Sequence, residues 1–235
     1  MAKQDRAVRT RRELIHSAAE IFDRAGFADA SITQICARAG VSHGALHFHF
    51  GNKQALGEAV ESAAARTLLY ITGNVPLRHP MPLQLLVDTS HALAQWLSCD
   101  PVLRAGFGLG RDATWHGHVD LWQQWQEWVQ LMLTVARNHG DLASDVVLDE
   151  AASAITAVVA GLEVLGRNDV RRHSCRAITP FWRLVLPQLS AEAVRDRIDA
   201  AGSCTAPSAA RERYPDEAAH DDWRPSGVCD ALPDC

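Results

Sequence analysis

The most constraining stretch of this chain is residues 31–53, SITQICARAGVSHGALHFHFGNK. Ser31 and Gln34 form an S-x-x-Q capping box, which opens a helix by satisfying two of its free backbone donors. That helix is expected to stop at Gly40, where the chain needs a positive φ. Ser42 can then cap a second short helix over His43–His49. Two helices this short around an Ala39-Gly40-Val41-Ser42 turn have the spacing of a helix-turn-helix. Ile32, Ile35 and Cys36 are expected to face inward with Val41, Leu46 and Phe50. That leaves Ser42, His43, Gly44, Ala45 and His47 exposed at the start of the second helix, all small or donor-bearing, as close approach to a major groove requires. Ser31 and Thr33 join them as candidate DNA contacts. Lys53 and the amides around it can hold a phosphate. Arg6, Arg9, Arg11 and Arg12 add charge that raises affinity more than specificity. The plainer alternative is a bundle corner with no ligand at all.

Helical periodicity runs through the rest. Leu14, Ile15, Ala18, Ile21, Phe22 and Ala25 recur at spacings of three and four before Gly26. A long helix is expected from about Asn52 to Thr72, then a proline-rich elbow over Val75–Pro82. Further helices are expected from Leu83, from Pro101, over 119–138, over Ala151–Leu165 and over Ala177–Leu189. No sustained period-two alternation occurs, so the fold class is all-α: a three-helix helix-turn-helix domain (1–52), joined by a long helix to an α-helical body (53–190). Residues 203–235 hold four prolines and seven acids against three arginines. Such a segment buries too little to offset its ordering entropy and is expected to be a disordered acidic tail.

Charge separates these parts. The chain of 235 residues has a formal net charge of −5, yet Lys and Arg outnumber Asp and Glu within residues 1–53. A positive head on a negative body suits a small polyanion-binding module and excludes a uniformly basic coat. The six cysteines include no C-x-x-C pair. The N-terminus lacks the apolar run of a secretory signal, and no uncharged stretch approaches a membrane span. A cytoplasmic, soluble, reduced protein with no membrane partner is expected.

Residues 8–56 resemble the N-terminal domain of the TetR family of transcriptional repressors, through IFDRAGFADASITQICARAGVSHGALHFHFGNKQAL. His47 stands where that family usually has a phosphate-contacting tyrosine, and a histidine there can still donate. Asp100-Pro-Val-Leu-Arg-Ala-Gly106, the tryptophan-bearing helix around Trp125 and AVVAGLEVLG at 157–166 are similar to segments of γ-butyrolactone autoregulator receptors of Streptomyces. The resemblance implies a homodimeric repressor released from palindromic operator DNA by a small γ-butyrolactone-like effector, controlling its own promoter and antibiotic biosynthesis. Relatives that answer to antibiotics or furan-type signals define a second possible effector class. The resemblance also implies a dimer face on the helices near 150–166 and 176–189, with Ile155, Val158, Val159 and Leu162 as its apolar stripe.

Trp122, Trp125 and Trp128 spread across one helix, which more often means core than ligand wall. A lactone with an alkyl chain does need aromatic walls and one or two donors. Trp125 is therefore the first candidate ligand contact, with Gln124, Thr156 and Trp182 beside it. His43 and His47 share a helix face, but His49 is rotated about 200° from His47, so no metal site is expected. His116, His118 and Asp120 read as a solvated turn. With no G-x-S-x-G, H-E-x-x-H or phosphate-binding glycine loop, neither an enzyme nor a cofactor is expected. The rival class is an α-helical ligand-binding protein or enzyme whose helix-turn-helix is only structural. It would bind DNA weakly and without regard to sequence.

Overall fold

The computed structural model describes residues 2–73, 78–166 and 177–203, and the side chains from residue 4 onward. The tail from 204, part of the elbow and most of the 167–178 connection lie outside the described residues. Among the described residues ten helices run in order: α1 (Ala2–Asp29), α2 (Ile32–Ala39), α3 (His43–Phe50), α4 (Lys53–Thr72), α5 (Pro82–Cys99), α6 (Pro101–Leu109), α7 (Leu121–His139), α8 (Leu148–Gly166), α9 (Thr179–Leu189) and α10 (Glu192–Arg195). The all-α expectation holds. The one strand-like feature among the described residues is an isolated bridge between Leu142 and Ser190. The short α10 was not expected; its four residues are too few to leave a periodicity.

The described residues form two compact units, the first comprising 2–68 and 100–121 and the second 69–99 and 122–203. In the first, α1 buries Leu14, Ile15, Ala18, Ala19 and Phe22, a three-four spacing that gives the helix one apolar face. Gly26 breaks it, with φ 79 and ψ 168. The unit is wider than the 1–52 segment because α6 packs along α1. Asp100 caps α6, accepting from the amides of Val102 at 2.7 Å and Leu103 at 3.3 Å, with Pro101 in the first turn. Burial pushes the Asp100 carboxyl up, although both amides oppose the shift. Gly106 lets α6 approach α4 closely: a Cβ there would sit 2.2 Å from that of Ala64. This glycine lies inside α6, which runs on to Leu109.

The second unit is centred on α5, α7, α8 and α9. Its buried apolar residues include Leu83, Leu86, Val87, Leu93, Trp125, Val129, Met132, Leu133, Ile155, Val159 and Trp182. The indole N–H of Trp182 donates to Ser90 Oγ at 2.7 Å, joining α9 to α5. Residues 199–203 form a strap along α5. Gln84 exchanges hydrogen bonds with the backbone of Asp199, and His91 Nε2 meets the Ala200 carbonyl. Asp88 accepts from the amide and hydroxyl of Ser203 at 2.7 and 2.5 Å. Cys36 is a buried free thiol.

Candidate functional site

The helix-turn-helix forms as its local chemistry dictates. Gln34 N donates to Ser31 Oγ at 3.2 Å while Ser31 N donates to Gln34 Oε1 at 3.3 Å, closing the capping box. Gly40 sits in the left-handed region at φ 64, and its amide returns to the last carbonyls of α2. Ser42 then accepts from Ala45 N at 3.1 Å and starts α3. Ile35, Cys36, Leu46 and Phe50 are buried between the helices, whereas Ile32 and Val41 are half-buried at the rim.

His43, Gly44 and His47 lie exposed on α3 with its cap Ser42, as the spacing predicted, whereas Ala45 is half-buried. Ser31, Thr33, Arg9 and Arg12 are exposed as well. One residue was missed. Phe48 is 82% exposed on the same helix, an apolar ring suited to a thymine methyl. Its position was readable: Phe50 faces inward, and two residues on a helix turn the side chain by about 200°.

Lys53 has a different place from the one expected. Its ammonium donates to the carbonyls of Phe27 at 2.8 Å, Ala28 at 3.2 Å and Ala30 at 3.0 Å, and lies over the Phe27 ring. It therefore ties the α1–α2 turn to the start of α4, rather than standing ready for a phosphate. Asp112 grips the same turn through its amides, accepting from Phe27 N at 2.9 Å and Ala28 N at 3.3 Å. The hydroxyl and amide of Thr114 hold the Asp112 carboxyl below the usual carboxylate range, and the Ala28 and Phe27 amides add to this against slight burial. Behind it, buried Glu61 accepts from Trp115 Nε1 at 2.8 Å and His118 N at 3.1 Å. Arg104 pairs with Asp23 at 2.8 Å and Arg38 with Glu20, which adds α6 and α2 to the α1 scaffold. The recognition helix is thus presented from a frame braced on both sides of one turn.

The candidate ligand residues lie in the second unit. Trp125 is fully buried and stacks on Trp128, with centroids 5.4 Å apart and planes 15° from parallel. Among the described residues neither indole N–H has a hydrogen-bond partner, and neither does the hydroxyl of buried Thr156 or Thr179. Buried indoles and hydroxyls ordinarily find acceptors or donors within the fold. Four that do not are the polar set a small ligand with several oxygens would satisfy. Trp128 and Thr179 are additions to the expected residues. Trp182 is also buried, but its N–H is already engaged by Ser90, so it offers ring surface only. Gln124 is exposed and turns away from this core.

The apolar stripe expected for dimerisation is only partly exposed in the single chain. Ile155 and Val159 are buried within their own unit, while Val158 and Leu162 are half-buried. The open apolar side chains are Val164 and Leu165 on α8 and Leu184 on α9, 48%, 56% and 70% exposed. Helical phase is the reason: α8 turns 155 and 159 to the core and 164 and 165 outward.

Among the described residues no helix is long and apolar enough to cross a membrane. Residues 14–60 match the family model for bacterial regulatory proteins, tetR family. The A-factor receptor protein of Streptomyces griseus is 30% identical over 214 residues, spanning 91% of this chain and 75% of that protein. A crystal structure of a γ-butyrolactone receptor, an ArpA-like protein, superposes with a TM-score of 0.73 at 27% identity, covering 88% of this chain and 99% of that one. The TetR family protein CprB from Streptomyces coelicolor, solved in complex with its biological operator sequence, gives 0.70 at 28% identity over the same shares.

Proposed function

Because this chain belongs to the TetR family of bacterial regulators and is related to its γ-butyrolactone receptors, we propose that it is a cytoplasmic, ligand-responsive repressor. It binds a palindromic operator as a homodimer and is released by a γ-butyrolactone-like signal, in control of antibiotic biosynthesis. The observation that carries this reading is α3: capped at Ser42, braced through Asp112 and Lys53, and exposing Ser42, His43, Gly44, His47 and Phe48 together. Ser31, Thr33, Arg9 and Arg12 serve as flanking contacts to the DNA backbone. Lys53 acts as a positioning residue for the turn.

One short recognition helix reads too few bases for specific binding, so two-fold symmetry supplies the second half-site. Val164, Leu165 and Leu184 provide the apolar face for that dimer. The effector is held beside the stacked pair of Trp125 and Trp128, its oxygens accepting from their N–H groups and bonding to the hydroxyls of Thr156 and Thr179. Release is a population shift, with the ligand favouring a state whose recognition helices no longer match successive grooves. A hundredfold loss of operator affinity requires a preference of about 2.7 kcal/mol for that state.

The test is an anisotropy titration against DNA upstream of the protein's own gene, beside scrambled DNA, with and without a γ-butyrolactone. Sequence-dependent binding released by the lactone is the expected result. Trp125→Phe keeps an aromatic side chain but removes the indole N–H and part of the ring system; it should weaken lactone response about tenfold while leaving operator affinity unchanged. Binding that ignores sequence would overturn the repressor reading, and specific binding untouched by lactone would overturn the ligand class alone.

A further inference from the structure

Resting on the operator-binding reading, we propose that His47 is a proton-linked phosphate contact, so that operator affinity rises as pH falls. Its Nδ1 lies 2.5 Å from the carbonyl oxygen of Gly51, the C-cap of α3. A carbonyl only accepts, so Nδ1 carries the proton in the neutral ring. The exposed Nε2 then bears a lone pair, and a lone pair repels a phosphate oxygen. Only the imidazolium, protonated at both nitrogens, donates to a phosphate from this position.

The surrounding charges leave this proton as the one the contact depends on. Residues 30–57 contain no Asp or Glu, and α3 contains no Lys or Arg. On α3 itself the other titratable groups are His43 and His49. From α2 the charged group is Arg38, which pairs with Glu20 of α1. From α1, Arg11 lies over the Phe50 ring at 5.1 Å, and Asp5 and Glu13 are exposed. From α4, Lys53 is held by three carbonyls of the α1–α2 turn. With no acid in residues 30–57, the anion that pairs with the imidazolium in this proposal is the phosphate that arrives with the DNA. The complex then binds more protons than its separated parts. The added affinity is present at low pH and is lost as pH rises through the titration of the complexed imidazole.

The experiment uses the full chain and a duplex it selects from a random-sequence library, with scrambled duplex as control, at pH 6 and pH 8 and at several salt concentrations. Wild-type affinity is expected to fall about fivefold from pH 6 to pH 8, as one histidine unloads between pH 5 and 8. The log–log salt slope should be steeper at pH 6 by about 0.9, the value of one additional neutralised phosphate. His47→Gln should lose both effects. His47→Lys, which keeps its charge across the range, should bind tightly at both pH values with equal slopes. Circular dichroism and urea unfolding of both variants establish that they fold. Equal pH and salt dependence in wild type and His47→Gln would overturn the proposal while leaving specific binding intact. Failure to select any duplex at either pH would overturn the operator reading with it.

Discussion

Asp112 shows what a single side chain does for this molecule and why sequence reasoning did not find it. It accepts from two amides about 85 residues away, whereas Ser31 and Gln34 satisfy each other three residues apart. Spacing can disclose the second relation and not the first. The same limit explains Lys53, whose partners lie at least 23 residues earlier, and Glu61 with its partner Trp115. For Asp112 the sign of the pH effect follows from its depressed folded-state pKa. Its contribution to stability is full above the unfolded pKa and is lost as pH falls through the folded one. Asp112→Ala should lower unfolding free energy by about 1 kcal/mol near neutrality and remove part of the acid sensitivity, both measurable by urea denaturation at pH 7 and pH 4. Asp100 runs the other way, since burial raises its carboxyl. The ionised form is disfavoured in the fold, so stability from this group is gained as pH falls through its folded pKa. Asp100→Asn, keeping the capping oxygen, should flatten that part of the curve.

At the scale of elements, the helix-turn-helix was legible almost residue by residue because each of its signals is local: a cap, a left-handed glycine, a second cap. Ser31→Ala should cost about 1 kcal/mol through loss of the capping box, seen in thermal unfolding. What eluded the pattern was phase. The stripe at 155, 158, 159 and 162 is truly apolar, but a helix buried on one side and open on another carries two apolar faces, and periodicity alone does not say which is which. The same holds for Phe48 on α3, passed over although Phe50 marked the buried side. Close approach was equally invisible. Gly106 carries no spacing signal of a contact, yet it is the position where α6 meets α4. Gly106→Ala would force its Cβ against Ala64 and should cost about 1–3 kcal/mol by overpacking, read by urea denaturation. An added Ala64→Gly should restore most of the loss.

At the scale of the whole molecule, the predicted assembly is testable without DNA. Leu184→Glu places a charge at an apolar position of α9 that is 70% exposed. Sedimentation should show the dimer of the wild type replaced by monomer, and operator affinity should fall with it. A variant that remains dimeric would move the interface elsewhere. The candidate effector residues were legible only in part. Trp125 was chosen for its chemistry, but the partnerless state of Trp128 and Thr179 is a property of packing, which no spacing rule conveys.

The strap over α5 has a practical meaning. Gln84, Asp88 and His91 take their partners from residues 199–203, so the second unit reaches past its last helix by several residues. A reporter joined directly after Ser203 would leave these bonds in place. A chain cut at Arg195 would strip a buried carboxylate of two donors and uncover one flank of α5. The position of the cut, moved residue by residue across 195–203, thereby measures how much of the fold's cohesion is held by a segment with no helix of its own.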